Sequence, residues 1–226
     1  MPTIKLVYFD AQAKGELIRH LLNAGNLDYE DFRIHFVNDD GSLSFEDWGR
    51  LKPSTPFGQL PLLYWDGEEI AQSMAIARFV ARKVGMAGKS DLEFGQADMV
   101  ACHYEDVWPK MRVLRYAKTQ QEREIAAAEF LTEFMPKWLT PLEDMLKKRG
   151  GEWYAGASAT FADLAIMVIL DFLHNPVDRA FKDMNNLPER CKILDNFDLV
   201  KANYERTCKL PFVAAWRTKR PAFNGF

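Results

Sequence analysis

The sequence predicts a mixed class: an α/β unit followed by an all-helical unit. Three observations carry this. The first third alternates short apolar runs with helical stretches. A small-residue break follows at Gly85-Met86-Ala87-Gly88-Lys89. Beyond that break the apolar residues recur at helical spacing to the end of the chain. The expected division is therefore a first domain over 1–84, a linker over 85–89 and a helical domain over 90–226, which the 226 residues accommodate.

Taken in order, Ile4–Tyr8 reads as a buried strand. Gly15–Ala24 sets Leu17, Ile18, Leu21 and Leu22 on one helical face. Tyr29, Phe32, Ile34 and Phe36 mark a second strand, and the cluster Asn38-Asp39-Asp40-Gly41-Ser42 marks a turn. Leu62–Trp65 and Glu68–Ile70 form a hairpin around Asp66-Gly67. A helix over Ser73–Val84 stops at Gly85. The order is βαβ and then ββα.

In the helical part, Asp91–Leu114 reads as one long helix interrupted near Pro109. Gln120–Lys148 reads as another, with Leu131, Met135, Trp138, Leu139, Leu142, Met145 and Leu146 inward, and Pro136 and Pro141 should bend or break it. Thr160-Phe161-Ala162-Asp163 has the form of a capping box, with Asp in place of Glu or Gln. It opens a helix that buries Leu164, Ala165, Val168, Ile169 and Phe172 and ends at His174-Asn175-Pro176. Asp163 reads as structural, since a capping task accounts for it. Met184 to Pro188 is a loop, Glu189 to about Thr207 a helix, and Pro211–Thr218 a short last helix.

Composition narrows the function. Hydrophobic residues make up 48% and charged residues 27%, an ordinary soluble balance. A net charge of -3 argues against a nucleic-acid footprint. Cys102, Cys191 and Cys208 are far apart, with no CxxC or Cys/His cluster, so neither a metal site nor a disulfide framework is expected. The N-terminus lacks a secretory pattern and no run is long enough to span a membrane, which leaves the cytoplasm as the expected location.

The most specific stretch runs from Pro56-Phe57-Gly58-Gln59-Leu60-Pro61 to Gln72-Ser73. A proline before a strand can be cis and then sets the direction of the peptide ahead of it. The N–H and C=O of Leu60 become an edge that a peptide-like ligand can pair with. Ser73 adds a hydroxyl at a helix N-terminus, where a carboxylate is well received. These features together make a clamp for an extended, carboxylate-bearing peptide.

The opening Leu6-Val7-Tyr8-Phe9-Asp10, this clamp, and Gln72-Ser73-Met74-Ala75-Ile76-Ala77-Arg78-Phe79 resemble the glutathione transferases, the sigma class most closely, and the resemblance runs from Ile4 to about Pro221. That class is related to glutathione-dependent prostaglandin D synthases and to lens S-crystallins. The resemblance implies an N-terminal thioredoxin-like domain, a C-terminal helical bundle, glutathione as co-substrate, no metal and a two-fold homodimer. It implies conjugation of the glutathione thiolate to apolar electrophiles, a detoxification chemistry, with isomerase or peroxidase activity open to the same thiolate.

It also implies roles. Tyr8 is the catalytic hydroxyl. A thiol of pKa ~8.5 must shift by one to two units, worth about 1.4–3 kcal/mol, to be a thiolate at neutral pH, and a hydroxyl aimed at sulfur does this. Ser73 and Gln72 hold the γ-glutamyl end, Leu60 pairs main chain to main chain with the cysteinyl unit, and Lys14, Gln59 and Pro61 count among the glutathione-binding residues. Trp48 and Lys52 hold the glycyl carboxylate, and Asp106 reaches the ligand's ammonium group across the dimer. Exposed Phe57 either plugs the partner or packs in its own subunit. Phe9, Trp108, Met111, Arg112, Arg115 and Phe226 are candidates for the electrophile site, although a Met or Trp on such a face often serves core packing. Val113 stands where the prostaglandin D synthases carry a tryptophan.

Two departures stand out. The loop after Tyr8 usually reads Arg-Gly-Arg-Ala-Glu, and here it is Gln12-Ala13-Lys14-Gly15-Glu16, so Lys14 keeps a charge without arginine's planar fork. A turn is also inserted ahead of Trp48. The competing reading is a non-catalytic structural protein or ligand carrier on the same fold, crystallin-like, although the long insertion typical of those crystallins is absent.

Overall fold

The computed structural model describes residues 1–38, 44–174 and 190–221. The expected turn at Asn38–Ser42 falls outside them from residue 39 onward, as do the 184–188 loop and Phe226. The chain forms two units, Met1–Met86 together with the segment from Pro211 onward, and Ala87–Leu210. The break lies inside the expected linker. The expected helical domain 90–226 differs at its end, because its last helix belongs to the first unit.

The first unit is built on β1 (Ile4–Phe9), α1 (Ala13–Ala24), β2 (Glu30–Ile34), α2 (Glu46–Leu51), β3 (Leu62–Trp65), β4 (Glu68–Ala71) and α3 (Ser73–Lys83). The mixed sheet has the order β2-β1-β3-β4, with β1 parallel to β2 and antiparallel to β3, and β3 antiparallel to β4. The hairpin turns on Asp66 (φ 53°) and Gly67 (φ 85°), the left-handed pair that matches strand twist. α1 buries Leu17, Ile18, Leu21 and Leu22 as its period requires. α3 ends at Val84, and Gly85 at φ 74° lets the Met86 N–H reach back to the Ala81 carbonyl.

The second unit comprises α4 (Asp91–Glu105), α5 (Val107–Tyr116), α6 (Gln120–Glu129), α7 (Met135–Lys148), α8 (Phe161–His174) and α9 (Asp198–Cys208). The first long helix is interrupted near Pro109 as expected, the break falling at Asp106 between α4 and α5. Pro109 sits in the first turn of α5, where its missing N–H needs no acceptor, and its ring displaces the carbonyl four residues back, that of Glu105. The second long helix stays nearly continuous. A π-helical segment, Phe130–Phe134, precedes Pro136 in the first turn of α7, while Pro141 is carried inside that helix. The expected helix from Glu189 divides into a 3₁₀ segment, Arg190–Asn196, and α9. Glu143 of α7 explains the division, because its carboxylate accepts the first-turn N–H groups of Leu199 and Val200 at 3.0 and 2.9 Å.

α8 packs against α4 and α9 and buries all but its Asp171 and His174 positions. Asp163 carries the capping role, accepting from the Thr160 N–H at 2.8 Å and the Tyr154 N–H at 3.2 Å. It also accepts from the Thr160 hydroxyl at 3.1 Å and the Asn203 amide at 2.8 Å. Among the described residues no helix is long and apolar enough to cross a membrane.

The last helix, α10 (Pro211–Lys219), packs on α1. Trp216 Nε1 donates to Glu16 Oε1 at 2.9 Å, and Arg220 Nη1 approaches the same oxygen at 2.6 Å. A buried carboxylate needs such donors, and this draws the segment to the first unit.

Candidate functional site

β1 ends at Phe9, and the backbone then turns into α1 through Asp10–Gln12, with the Ala11 N–H bonded to the Phe9 carbonyl at 2.7 Å. Tyr8 is buried to 7% exposure beneath this loop. Its phenolic oxygen accepts the backbone N–H of Lys14 at 3.2 Å. An accepted bond polarises the hydroxyl and strengthens it as a donor. The main chain at position 14 orients Tyr8, so the exchange of arginine for lysine there leaves that contact intact.

The two small residues of the loop are arranged differently from the family's Gly-then-Ala order. Ala13 holds φ 34°, a positive value that carries strain for a side-chain-bearing residue. Gly15 faces the ring, and a Cβ there would sit 2.4 Å from Tyr8 Cδ1. Close approach of α1 to Tyr8 therefore requires glycine.

Beneath the loop lies a buried charge cluster that the sequence reading missed. Arg19 is 0% exposed. Its Nη1 donates to the Ala11 carbonyl at 2.8 Å and to Glu16 at 3.4 Å, and its Nε lies 3.1 Å from both oxygens of Asp31. The guanidinium is 5.9 Å from the centre of the Tyr8 ring. Arg33 joins Asp31 to Asp10, at 2.7 and 3.2 Å. Burial works against charge on Glu16, yet His20, Arg19, Arg220 and the Trp216 N–H together hold its pKa below the usual carboxylate range. Burial lowers His20 to about 4, opposed by Glu16 and reinforced by Arg217, Arg220 and Arg19, so its ring is neutral near pH 7. The available signal was the Glu16, Arg19, His20 spacing, three charged or titratable residues one turn apart on an otherwise apolar helix.

The predicted clamp residues of the first unit make three separate sets of contacts. Phe9, Trp48 and Leu60 pack on one apolar cluster formed by Val7, Ile34 and Leu62, with the Phe9 and Trp48 rings edge to face at 5.6 Å. Lys52 follows α2 in a 3₁₀ turn and lies along Gly58, whose φ is 59°. The Leu60–Pro61 peptide is cis. Among the described residues neither the N–H nor the C=O of Leu60 has a backbone partner. Gln72 and Gln59 meet through their amides at 3.4 Å.

α3 opens at Ser73, as the sequence leads one to expect. Gln72 is its N-cap, and no side chain caps the helix. Ser73 occupies the first helical position, so its N–H and those of Met74 and Ala75 have no acceptor within the helix. Gln72 holds φ 73°, a conformation that costs a non-glycine residue about 1–3 kcal/mol and is concentrated at functional sites.

In the helical unit Asp106 is exposed at the α4–α5 junction, 3.5 Å from His103 Nδ1. Trp108 packs edge to face on Tyr104 and Phe172 at 5.5 and 5.7 Å. The Arg115 guanidinium lies 5.3 Å from the centre of the Phe172 ring, and Arg112 is exposed. Met111 is 1% exposed, packed in the core.

Residues 3–82 match the family model for the glutathione S-transferase N-terminal domain, and residues 105–220 match that for its C-terminal domain. Glutathione S-transferase 1 of Ascaris suum is 35% identical over 225 residues, covering 98% of each chain. Hematopoietic prostaglandin D synthase of Gallus gallus is 33% identical over 222 residues, again 98% of each. A monomeric glutathione S-transferase from the hookworm Necator americanus has a similar solved structure, with a TM-score of 0.75 at 30% identity, over 97% of this chain and 98% of that one. With both domains matched in order, this chain belongs to the glutathione S-transferase family, whose enzymes use glutathione as co-substrate.

Proposed function

We propose that this chain is a sigma-like, cytoplasmic glutathione transferase in which the Tyr8 hydroxyl donates to the glutathione sulfur and holds it as thiolate. The observation that carries this is the Lys14 N–H bonded to the Tyr8 oxygen, which fixes and polarises that hydroxyl. The uncapped N-terminus at Ser73 supports a site for the γ-glutamyl carboxylate, with Gln72 and Gln59 beside it. Leu60 pairs with the cysteinyl main chain, Pro61 shapes that edge, and Trp48 and Lys52 take the glycyl carboxylate. The electrophile is apolar. Transfer is favoured over prostaglandin isomerisation, because Val113 offers a smaller wall than the tryptophan of those synthases.

Tyr8→Phe should lower kcat by about 10–1000-fold while glutathione affinity changes little, because the hydroxyl acts on the sulfur rather than the peptide. Ultraviolet titration of the bound thiol should show its pKa rising, and an unmoved pKa would assign sulfur activation to another group.

The same reading makes Asp106 a trans contributor in a two-fold dimer, receiving the ligand's ammonium group. Phe57, 64% exposed in its own chain, supports a plug for the partner. Mixing Tyr8→Phe chains with Asp106→Ala chains should restore one intact site per hybrid dimer. Sedimentation that gives a monomer at micromolar concentration, like the hookworm relative, would refute the shared site.

A further inference from the structure

We propose that Arg19 is a positioning residue for the Tyr8 hydroxyl, acting through the Ala11–Lys14 loop; this rests on the reading of Tyr8 as the group that activates the thiol. Three observations converge on it. The first is a guanidinium removed from water on the buried face of α1, beside Glu16 and His20. Such burial is costly, and a well-packed apolar side chain there would often be as stabilising, so a demand of geometry is the better account. The second is what the guanidinium grips. Its anchors are the Ala11 carbonyl at the start of the loop, Glu16 in the first turn of α1, and Asp31 on β2. Arg19 thus ties both ends of the loop to the sheet. The third is the loop's content. Ala13 sits at positive φ, the Lys14 N–H meets the Tyr8 oxygen, and Gly15 lies against the Tyr8 ring. A strained residue persists only where its surroundings over-determine it, and the Ala11 bond from Arg19 is the buried side-chain contact that does so at the head of the loop.

Lysine in place of arginine separates geometry from charge. Its ammonium keeps the positive charge beneath the ring but cannot span the Ala11 carbonyl and both Asp31 oxygens with one planar fork. A role through charge alone would survive Arg19→Lys, whereas a role through the loop would not.

The test is the pKa of glutathione thiol bound to the full-length protein, read by thiolate absorbance, with kcat and KM for glutathione measured against chlorodinitrobenzene across pH. Arg19→Lys should raise the bound-thiol pKa by about one unit, a roughly three- to eightfold loss of thiolate at neutral pH, with KM for glutathione changed less than kcat. In a Tyr8→Phe background the same substitution should add no further shift, since the effect passes through the hydroxyl. If Arg19→Lys does not fold, Asp31→Asn loosens the guanidinium at a partly exposed position and should shift the pKa in the same direction by less. An unmoved thiol pKa in folded Arg19→Lys, or failing that in Asp31→Asn, overturns the proposal. An independent shift in the Tyr8→Phe background also overturns it. Should Tyr8→Phe itself leave the pKa unmoved, the reading of Tyr8 fails, and this inference with it; should it raise the pKa while Arg19→Lys does not, only the positioning role fails.

Discussion

Helices α1 and α8 are both buried over most of their surfaces, but they bury different chemistry. α8 is a hydrophobic rod with one buried acid, Asp163, at its start, where four donors satisfy it. α1 carries Glu16, Arg19 and His20 into the interior alongside its leucines. Apolar burial gives stability cheaply, and a fully buried ionic set does not. The difference shows where each unit is committed. The helical unit places one polar group where a helix must begin. The α/β unit accepts desolvated charge along the helix whose first turn touches Tyr8.

The comparison breaks most sharply at Asp163. Asp163→Ala strands the N–H groups of Thr160 and Tyr154 and the Asn203 amide, and should cost about 4 kcal/mol, read as a lowered urea midpoint. A loss below about 1 kcal/mol would mean that α8 does not depend on its cap.

Acid sharpens it next, because the two helices respond with opposite sign. His20 is lowered to about 4 in the folded chain from 6.5, so the unfolded chain takes up its proton first. Its contribution is complete above about pH 6.5 and is lost as pH falls toward 4, amounting to about 3 kcal/mol in full. Burial raises the pKa of Asp163 against the bonds from Thr160, Asn203 and Tyr154. Its contribution is therefore greatest in acid and declines as pH rises through the raised value. Unfolding by urea between pH 7 and 4 should show the His20 slope, and His20→Gln should flatten it. An equal slope in the variant would place the titration elsewhere.

The smallest stability effect belongs to Gly15. Gly15→Ala places a methyl group against the Tyr8 ring and should cost about 1–3 kcal/mol through overpacking. Because the ring has to move, kcat should fall by at least tenfold relative to the native chain in a transferase assay. Full activity would show that Tyr8 tolerates displacement.

Much of the fold was legible because its determinants are local. The Asp66-Gly67 turn, the proline ahead of β3 and the Thr160–Asp163 box each fix structure within a few residues, and a short window reveals them. Tyr8, Trp48, Leu60 and Gln72 were singled out as candidates in the same way, through motifs. The missed features are those set by distant partners. Glu143 divides the last long helix from 56 positions away. Trp216 and Arg220 account for the burial of Glu16 from the far end of the chain. The strain at Ala13 and Gln72 was hidden, because neither residue advertises a positive φ.

The bonds from Trp216 and Arg220 to Glu16 join positions 200 and 204 residues apart, with the whole of the Ala87–Leu210 unit between them. On the ribosome the sheet and α1 emerge first, and the intervening unit takes on the order of 10 s to make. Through that interval Glu16 lacks two of the donors that hold it ionised, and the α/β unit waits with its deepest carboxylate under-compensated. The order of synthesis thus makes the opening unit the last to be completed. Glu16, in the first turn of the helix that touches Tyr8, acquires its last donors only after the helical unit has already been released to fold.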